Sequence, residues 1–330
     1  MTNDRITSNA FSSSTQPETS AVEVGQGAQE SLNYGLTKLV LNQERFVPIS
    51  KCVFEKITKA RDCLMQLVVI EEKFDFVVEN LAALERAVLE AADLCKTAPV
   101  ATVQFQINKS DINRHVANLV ALGRMFIEQS LVHVDKLNAL AGGMLFDLAG
   151  ARTRQYDARL GYQLFEELRN YMLHRGSAVH SVEYHTGKDY DAEGAMTLRH
   201  KVSVYTSAAQ LAEDRKFKKR VAAQLEAIGD RHDLIVMARD YVAGLWDAQL
   251  EYRSALANFV SDTEEAYLEG AYLYAEVNVE DELPKVVALA AVALAADGSI
   301  REKTPIVFDL IAQREYYEQK NGEVARMQLG

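Results

Sequence analysis

The sequence predicts an all-α protein, an elongated multi-helix bundle with one inserted β-hairpin. Three observations predict it. Only five prolines and 17 glycines punctuate 330 residues, so few breakers interrupt the helices. Apolar residues recur at three- and four-residue spacing over most of the chain. The alternation that marks a strand is confined to short stretches near 100–108 and 180–205. A hydrophobic share of 48% beside 25% charged residues belongs to a chain with a substantial core.

Taken in order, residues 1–32 are rich in Ser, Thr, Asn, Gln and Gly and are expected to be disordered. A helical domain is expected over 33–283. From Lys51 to Lys96, Phe54, Ile57, Leu64, Val68, Phe74, Val77, Leu81, Leu84, Val88 and Ala91 form the stripe of one very long helix or two in tandem. Pro99 ends it, and "VATVQFQIN" (100–108) alternates like a short strand. Ser110 is the expected N-cap of a second helix, with Ile112, Val116, Leu119, Phe126, Leu131 and Val134 as its buried stripe. "AGG" at 141–143 precedes a third helix, Thr153 to Arg175, closed by Gly176. "HSVEYH" and "LRHKVSVY" read as the hairpin near 180–205, with a long polar tip between them. Helix resumes at Ser207 and stops near Gly229. A further helical stretch covers 232–278, with a break expected at the Ser261/Glu264 capping box. Residues 284–330 are expected as a C-terminal helical extension, opening with the buried Ala/Val helix of 286–296.

The net charge of −11 argues against a bulk nucleic-acid binder, yet it is unevenly spread. Residues 233–283 hold twelve acids against two bases, whereas 150–232 hold fourteen bases against eleven acids. A mildly basic island therefore sits in an acidic protein, where a polyanion can approach locally. Cys52, Cys63 and Cys95 form no CxxC pair and read as free thiols in a reducing compartment. The N-terminus has no apolar signal region, and the longest apolar run has eleven residues, too few to span a bilayer. A cytoplasmic protein without a membrane segment is expected. Walker, GxGxxG, HExxH and GxSxG patterns are missing, which excludes the enzyme classes that depend on them.

One stretch of the third helix is unusual. In "ELRNYMLHRG" (167–176), a wheel of about 100° per residue puts Leu164, Phe165, Leu168, Tyr171 and Met172 on one face. Arg169, Asn170 and His174 fall on the other, with Asn170 and His174 an i,i+4 pair. A guanidinium grips phosphate and neutralises transition-state charge. An imidazole exchanges protons near neutral pH with a ribose 2′-hydroxyl or a leaving oxygen. RNA supplies its own nucleophile in such a cut, so the reading calls for no metal and no cofactor.

"RNYMLH" resembles the Arg-x4–6-His motif of the HEPN superfamily (higher eukaryotes and prokaryotes nucleotide-binding domain), including the polar residue after the arginine. The resemblance covers about 25 residues closely and the helical frame loosely. It implies an all-α, HEPN-like fold, a homodimer or larger homo-oligomer, and a metal-independent endoribonuclease. Arg169, Asn170 and His174 would then be the catalytic set. It also implies a setting in anti-phage (antiviral) defence or a toxin–antitoxin system, with RNA as substrate and an antitoxin or activating partner. Arg175 and His180 fit the same spacing. The hairpin after the motif departs from a minimal HEPN bundle.

Further basic residues are candidate RNA contacts: Arg152, Arg154, Arg159 and Arg175 on or beside the motif helix, and Lys216, Lys218, Lys219 and Arg220 in "EDRKFKKR". Phe217 and Tyr162 are candidates to stack on a base; Tyr171 is expected to pack inward. His180, His185 and His200 match no zinc spacing and read as solvated strand residues. The rival readings are a non-catalytic helical interaction protein and an RNA- or nucleotide-binding regulator that does not cut.

Overall fold

In the computed structural model, which describes residues 32–39, 45–94, 102–190, 194–278 and 288–329, two 44-residue helices set the long dimension. They are α1 (Lys51–Leu94) and α7 (Leu234–Val277), each about 66 Å long at 1.5 Å per residue. Between them come α2 (Thr102–Ala141), α3 (Leu148–Ala158), α4 (Leu160–His174), α5 (Ala208–Ala212) and α6 (Lys219–Ile228). The last helix is α8 (Asp309–Leu329). The strands are β1 (Asn33–Lys38), β2 (Val47–Pro48), β3 (Ser181–Tyr190), β4 (Met196–Ser207), β5 (Arg231–Asp233), β6 (Leu289–Leu294) and β7 (Ile300–Pro305). Among the described residues, no helix is long and apolar enough to cross a membrane.

The mostly helical architecture agrees with expectation, and α1 is one continuous rod. Its stripe of Phe54, Ile57, Leu64, Phe74, Val77, Leu81 and Leu84 is buried against α2, α7 and α8. Phe74 lies 5.3 Å from Phe126 of α2 and 5.5 Å, stacked, from Trp246 of α7. One aromatic side chain thus holds three helices together.

The structure departs from the sequence reading at six places. The helix expected from Ser207 through 213–220 to Gly229 is two, α5 and α6, with 213–218 non-helical between them. Residues 102–108 are the first turns of α2 and not a strand, so Ser110 lies inside that helix. The motif helix is two helices, because Arg159 is extended (φ −123°, ψ 118°). Gly176 is not left-handed; the helix ends at His174, and the N–H of the C-cap residue Arg175 donates to the Tyr171 carbonyl. α7 runs unbroken through Ser261, and Glu264 accepts from Arg314 instead of capping.

The largest departure is the Ala/Val run. Its described part is β6, a strand buried at every position from Leu289 to Ala293. β6 lies between β1 and β7 in a sheet of order β2-β1-β6-β7, with Asn33 opposite Leu294 and Lys38 opposite Leu289. A short apolar run without period fits either element, and two strand partners decided it: β1, far back along the chain, and β7, which follows directly. The local signal was "ADGSI": Gly298 sits at φ +81° and the Ala295 N–H donates to Ser299, closing a tight hairpin. The expected disorder of 1–32 lies outside the described residues save Leu32, as does Cys95.

The inserted hairpin is present, with Ser181 opposite Tyr205 and Tyr190 opposite Met196. β5 adds a third strand beside β4. Its base is buried over Val202–Val204, while the outer halves of both strands are exposed.

Candidate functional site

The motif helix is positioned by its first turn. Asp240 of α7 accepts from the Gly161 N–H at 2.8 Å and from Arg159 at 2.9 Å, and Asp247 takes the other arm of Arg159 at 2.6 Å. One carboxylate therefore caps an open helix start and holds the arginine that precedes it. Leu164, Phe165, Leu168 and Tyr171 are then buried, as the wheel requires. Phe165 stacks on Tyr241 at 5.1 Å.

Arg169, Asn170 and His174 are all exposed. None of the three side chains makes a hydrogen bond or ion pair with another described residue. Arg169, Met172 and Leu173 line a groove of about 470 Å³ with Val120, Arg124 and Met125 of α2. At its edge Glu166 is held by Arg124 at 3.0 Å. Burial pushes the Glu166 carboxyl up, and the nearby Arg124 and Arg169 charges oppose that. Asn170 and His174 lie on the adjacent exposed side of α4, and among the described residues no element closes over the three.

The alternative pair of the same spacing, Arg175 and His180, is occupied. Arg175 pairs with Asp214 at 3.0 Å. His180 accepts the Ser207 N–H on Nδ1 at 2.8 Å, which leaves its proton on Nε2, 3.2 Å from the Tyr171 hydroxyl. His180 is therefore a bonded joint between α4 and the sheet, not the solvated strand residue expected.

Most of the expected RNA contacts are otherwise engaged. Arg152 is buried, donating to the Ile127 carbonyl and the Ser130 hydroxyl, each at 2.6 Å, with its guanidinium 4.6 Å from the Phe126 ring. Burial pulls it down to about 10, still charged at neutral pH. It faces the core and cannot meet RNA. Arg154 pairs with Glu251, Arg159 with Asp240 and Asp247, and Arg220 with Asp157. Lys218 donates to the Tyr156 hydroxyl at 2.8 Å. Lys216 and Lys219 are exposed, with no side-chain partner among the described residues. Phe217 and Tyr162, the candidates for stacking, are buried at 5% and 3% exposure and cannot take a base. Tyr171 packs inward as expected.

A second polar cluster was invisible in the sequence. Glu71 of α1, 3% exposed, accepts from Gln249 at 2.9 Å and from Arg253 of α7 at 3.0 Å and at its second oxygen. Arg314 of α8 pairs with Glu264 at 2.9 Å and with Glu318. These partners are separated by up to 182 positions, so no local spacing announces them. Among the described residues, no three His, Cys, Asp or Glu side chains are grouped to hold a metal.

No family model, curated protein or solved structure matches the chain.

Proposed function

We propose that this chain is a metal-independent endoribonuclease of HEPN type. Arg169, Asn170 and His174 form its catalytic set, completed when the α4 of a second copy faces the first. One observation carries the proposal: of the arginines on α3 and α4, Arg169 has a guanidinium free of hydrogen bonds and ion pairs among the described residues, beside an equally free Asn170 and His174. Exposed, unengaged polar side chains on a helix anchored at its start are what a phosphate-binding face needs.

In this reading the 2′-hydroxyl oxygen attacks the adjacent phosphorus as its proton leaves to a base. The P–O5′ bond breaks, and a proton passes to the departing 5′-oxygen, giving a 2′,3′-cyclic phosphate and a 5′-hydroxyl. His174 serves the proton transfer, Arg169 the charge on the phosphorane, and Asn170 orients a phosphate oxygen. The setting in anti-phage defence or as a toxin held by an antitoxin rests on the motif resemblance.

Single-stranded RNA incubated with the protein in EDTA is expected to be cut to cyclic-phosphate ends. Arg169→Ala and His174→Ala are each expected to slow cutting about 100-fold or more with unchanged circular dichroism. Substrate carrying a 2′-deoxy residue at the cut resists. Cutting that survives both substitutions, or that stops in EDTA, sinks the proposal. A second reading, a non-catalytic helical interaction protein, is favoured by how many of the surrounding basic residues are paired with acids. Intact RNA together with a monomeric wild-type chain would select it.

A further inference from the structure

The outer half of the inserted hairpin is a two-stranded ribbon. β5 pairs with β4 only over Tyr205–Ser207, so beyond that base the arm consists of β3 and β4 alone. A two-stranded hairpin by itself is at best marginally stable in water. On one face of the arm, Val202 and Val204 are buried at the base, where α1 and the start of α2 pack on the sheet. The same face carries Leu198, Met196 and Tyr190 further out, at 45%, 53% and 66% exposure. Its apolar character therefore runs on past the elements that cover it.

β3 is also an edge strand. In the order β3-β4-β5 its outer side has no strand neighbour among the described residues. Proline, bulges and several lysines are the usual means of blunting such an edge. Ser181–Tyr190 contains no proline, pairs with β4 at ten consecutive positions without a bulge, and carries one lysine, Lys188. Residues 185–188 are exposed, so the outward backbone groups of this stretch are within reach of a second strand.

The strand matches itself in one register. Two identical edges pair antiparallel about a two-fold axis normal to the sheet. Opposite residues point to the same face, so the axis passes through one residue, which then faces its own copy. Centring on Lys188 sets that lysine against itself, and centring on Thr186 sets Asp189 against Glu183; like charges directly opposite are destabilising. Centring on His185 sets Lys188 against Val182 at the half-buried base. Centring on Gly187 sets His185 against Asp189, Thr186 against Lys188 and Tyr190 against Tyr184. Asp189 takes Arg199 at one carboxylate oxygen, at 2.8 Å across its own hairpin, which leaves the other for His185. Tyr184 already meets Phe105 of α2 edge-on at 4.3 Å, so the exposed Tyr190 of each copy joins an aromatic pair of the other. We infer that two copies of this chain associate by antiparallel pairing of their β3 edges, centred on Gly187. The pairing uses none of Arg169, Asn170 and His174 and stands apart from the nuclease reading.

Sedimentation of the full chain at rising concentration tests it, with a dimer expected below about 100 μM. Thr186→Lys opposes two lysines at two symmetric places and is expected to weaken the dimer at least about tenfold. The same charge on β4, in Thr197→Lys, should leave it unchanged. Adding Lys188→Glu to Thr186→Lys sets opposite signs together and is expected to recover the dimer. Gly187 has room for a side chain, since an added Cβ meets nothing nearer than the Arg199 carbonyl oxygen at 4.0 Å. Facing residues of antiparallel strands lie about 4.5–5.5 Å apart at Cα, within disulfide range. Gly187→Cys is therefore expected to give, on mild oxidation, a reducible covalent dimer that the wild-type chain does not. That cross-link should persist with Arg169→Ala, so failure of the nuclease reading shows separately. A chain that stays monomeric leaves the edge to another partner and overturns the inference. A dimer that withstands Thr186→Lys, or that gives no cross-link in Gly187→Cys, overturns it as well.

Discussion

His180 shows how a single side chain can resemble a catalytic residue and be a structural one. Both its nitrogens are used, Nδ1 by the Ser207 N–H and the Thr206 hydroxyl at 3.1 Å, Nε2 by Tyr171. Burial first, then the Lys109 charge, lowers its affinity for a proton. The unfolded chain therefore takes up a proton at higher pH than the folded chain does. Stability from this residue is complete above the ordinary histidine range near 6.5 and is lost as pH falls from there through the folded value. Thermal unfolding is expected at lower temperature at pH 5.5 than at pH 7.5. In His180→Gln the slope should flatten, leaving the part that comes from His133, which burial also lowers. An unchanged slope in the variant would contradict this account. His174, by contrast, is exposed, and spacing alone could not tell the two histidines apart.

At the scale of elements, the close approach of α4 to α7 aims the motif. A methyl group on Gly161 would lie 2.4 Å from the Met237 carbonyl oxygen and 2.7 Å from the Asp240 Cβ. Backbone cannot yield as a side-chain tip can, so Gly161→Ala is expected to destabilise the chain by about 1–3 kcal/mol. Gly143→Ala, where nothing lies within 4 Å, is the matched control and should be close to neutral. Urea unfolding of both variants measures the difference. The break at Arg159 was not legible because its cause is Asp240 and Asp247, about 80 positions away. α1 was legible, since its period is unbroken and each turn repeats the same instruction. The hairpin was legible for the same reason, at period two.

At the scale of the whole molecule, the Glu71 cluster joins α1, α7 and α8: Arg253 and Gln249 donate to its carboxylate and Asn321 to its carbonyl at 3.3 Å. Arg253→Met leaves the Glu71 charge buried and unpaired, with an expected cost of about 3–5 kcal/mol. The double substitution Glu71→Leu with Arg253→Met is expected to recover most of that loss in chemical denaturation. If single and double variants unfold alike, the pair is not what couples these helices. By itself, the sequence determined the helical class, the buried stripe of α1 though not that it is one rod, the hairpin, and a polar face on α4 carrying Arg169, Asn170 and His174, because each follows from a local period. Only the tertiary structure decided that the Ala/Val run is a strand, that Arg152 faces the core, and which arginines are paired. Those outcomes depend on partners far along the chain, and a buried apolar run or a lone charge takes its state from what packs against it.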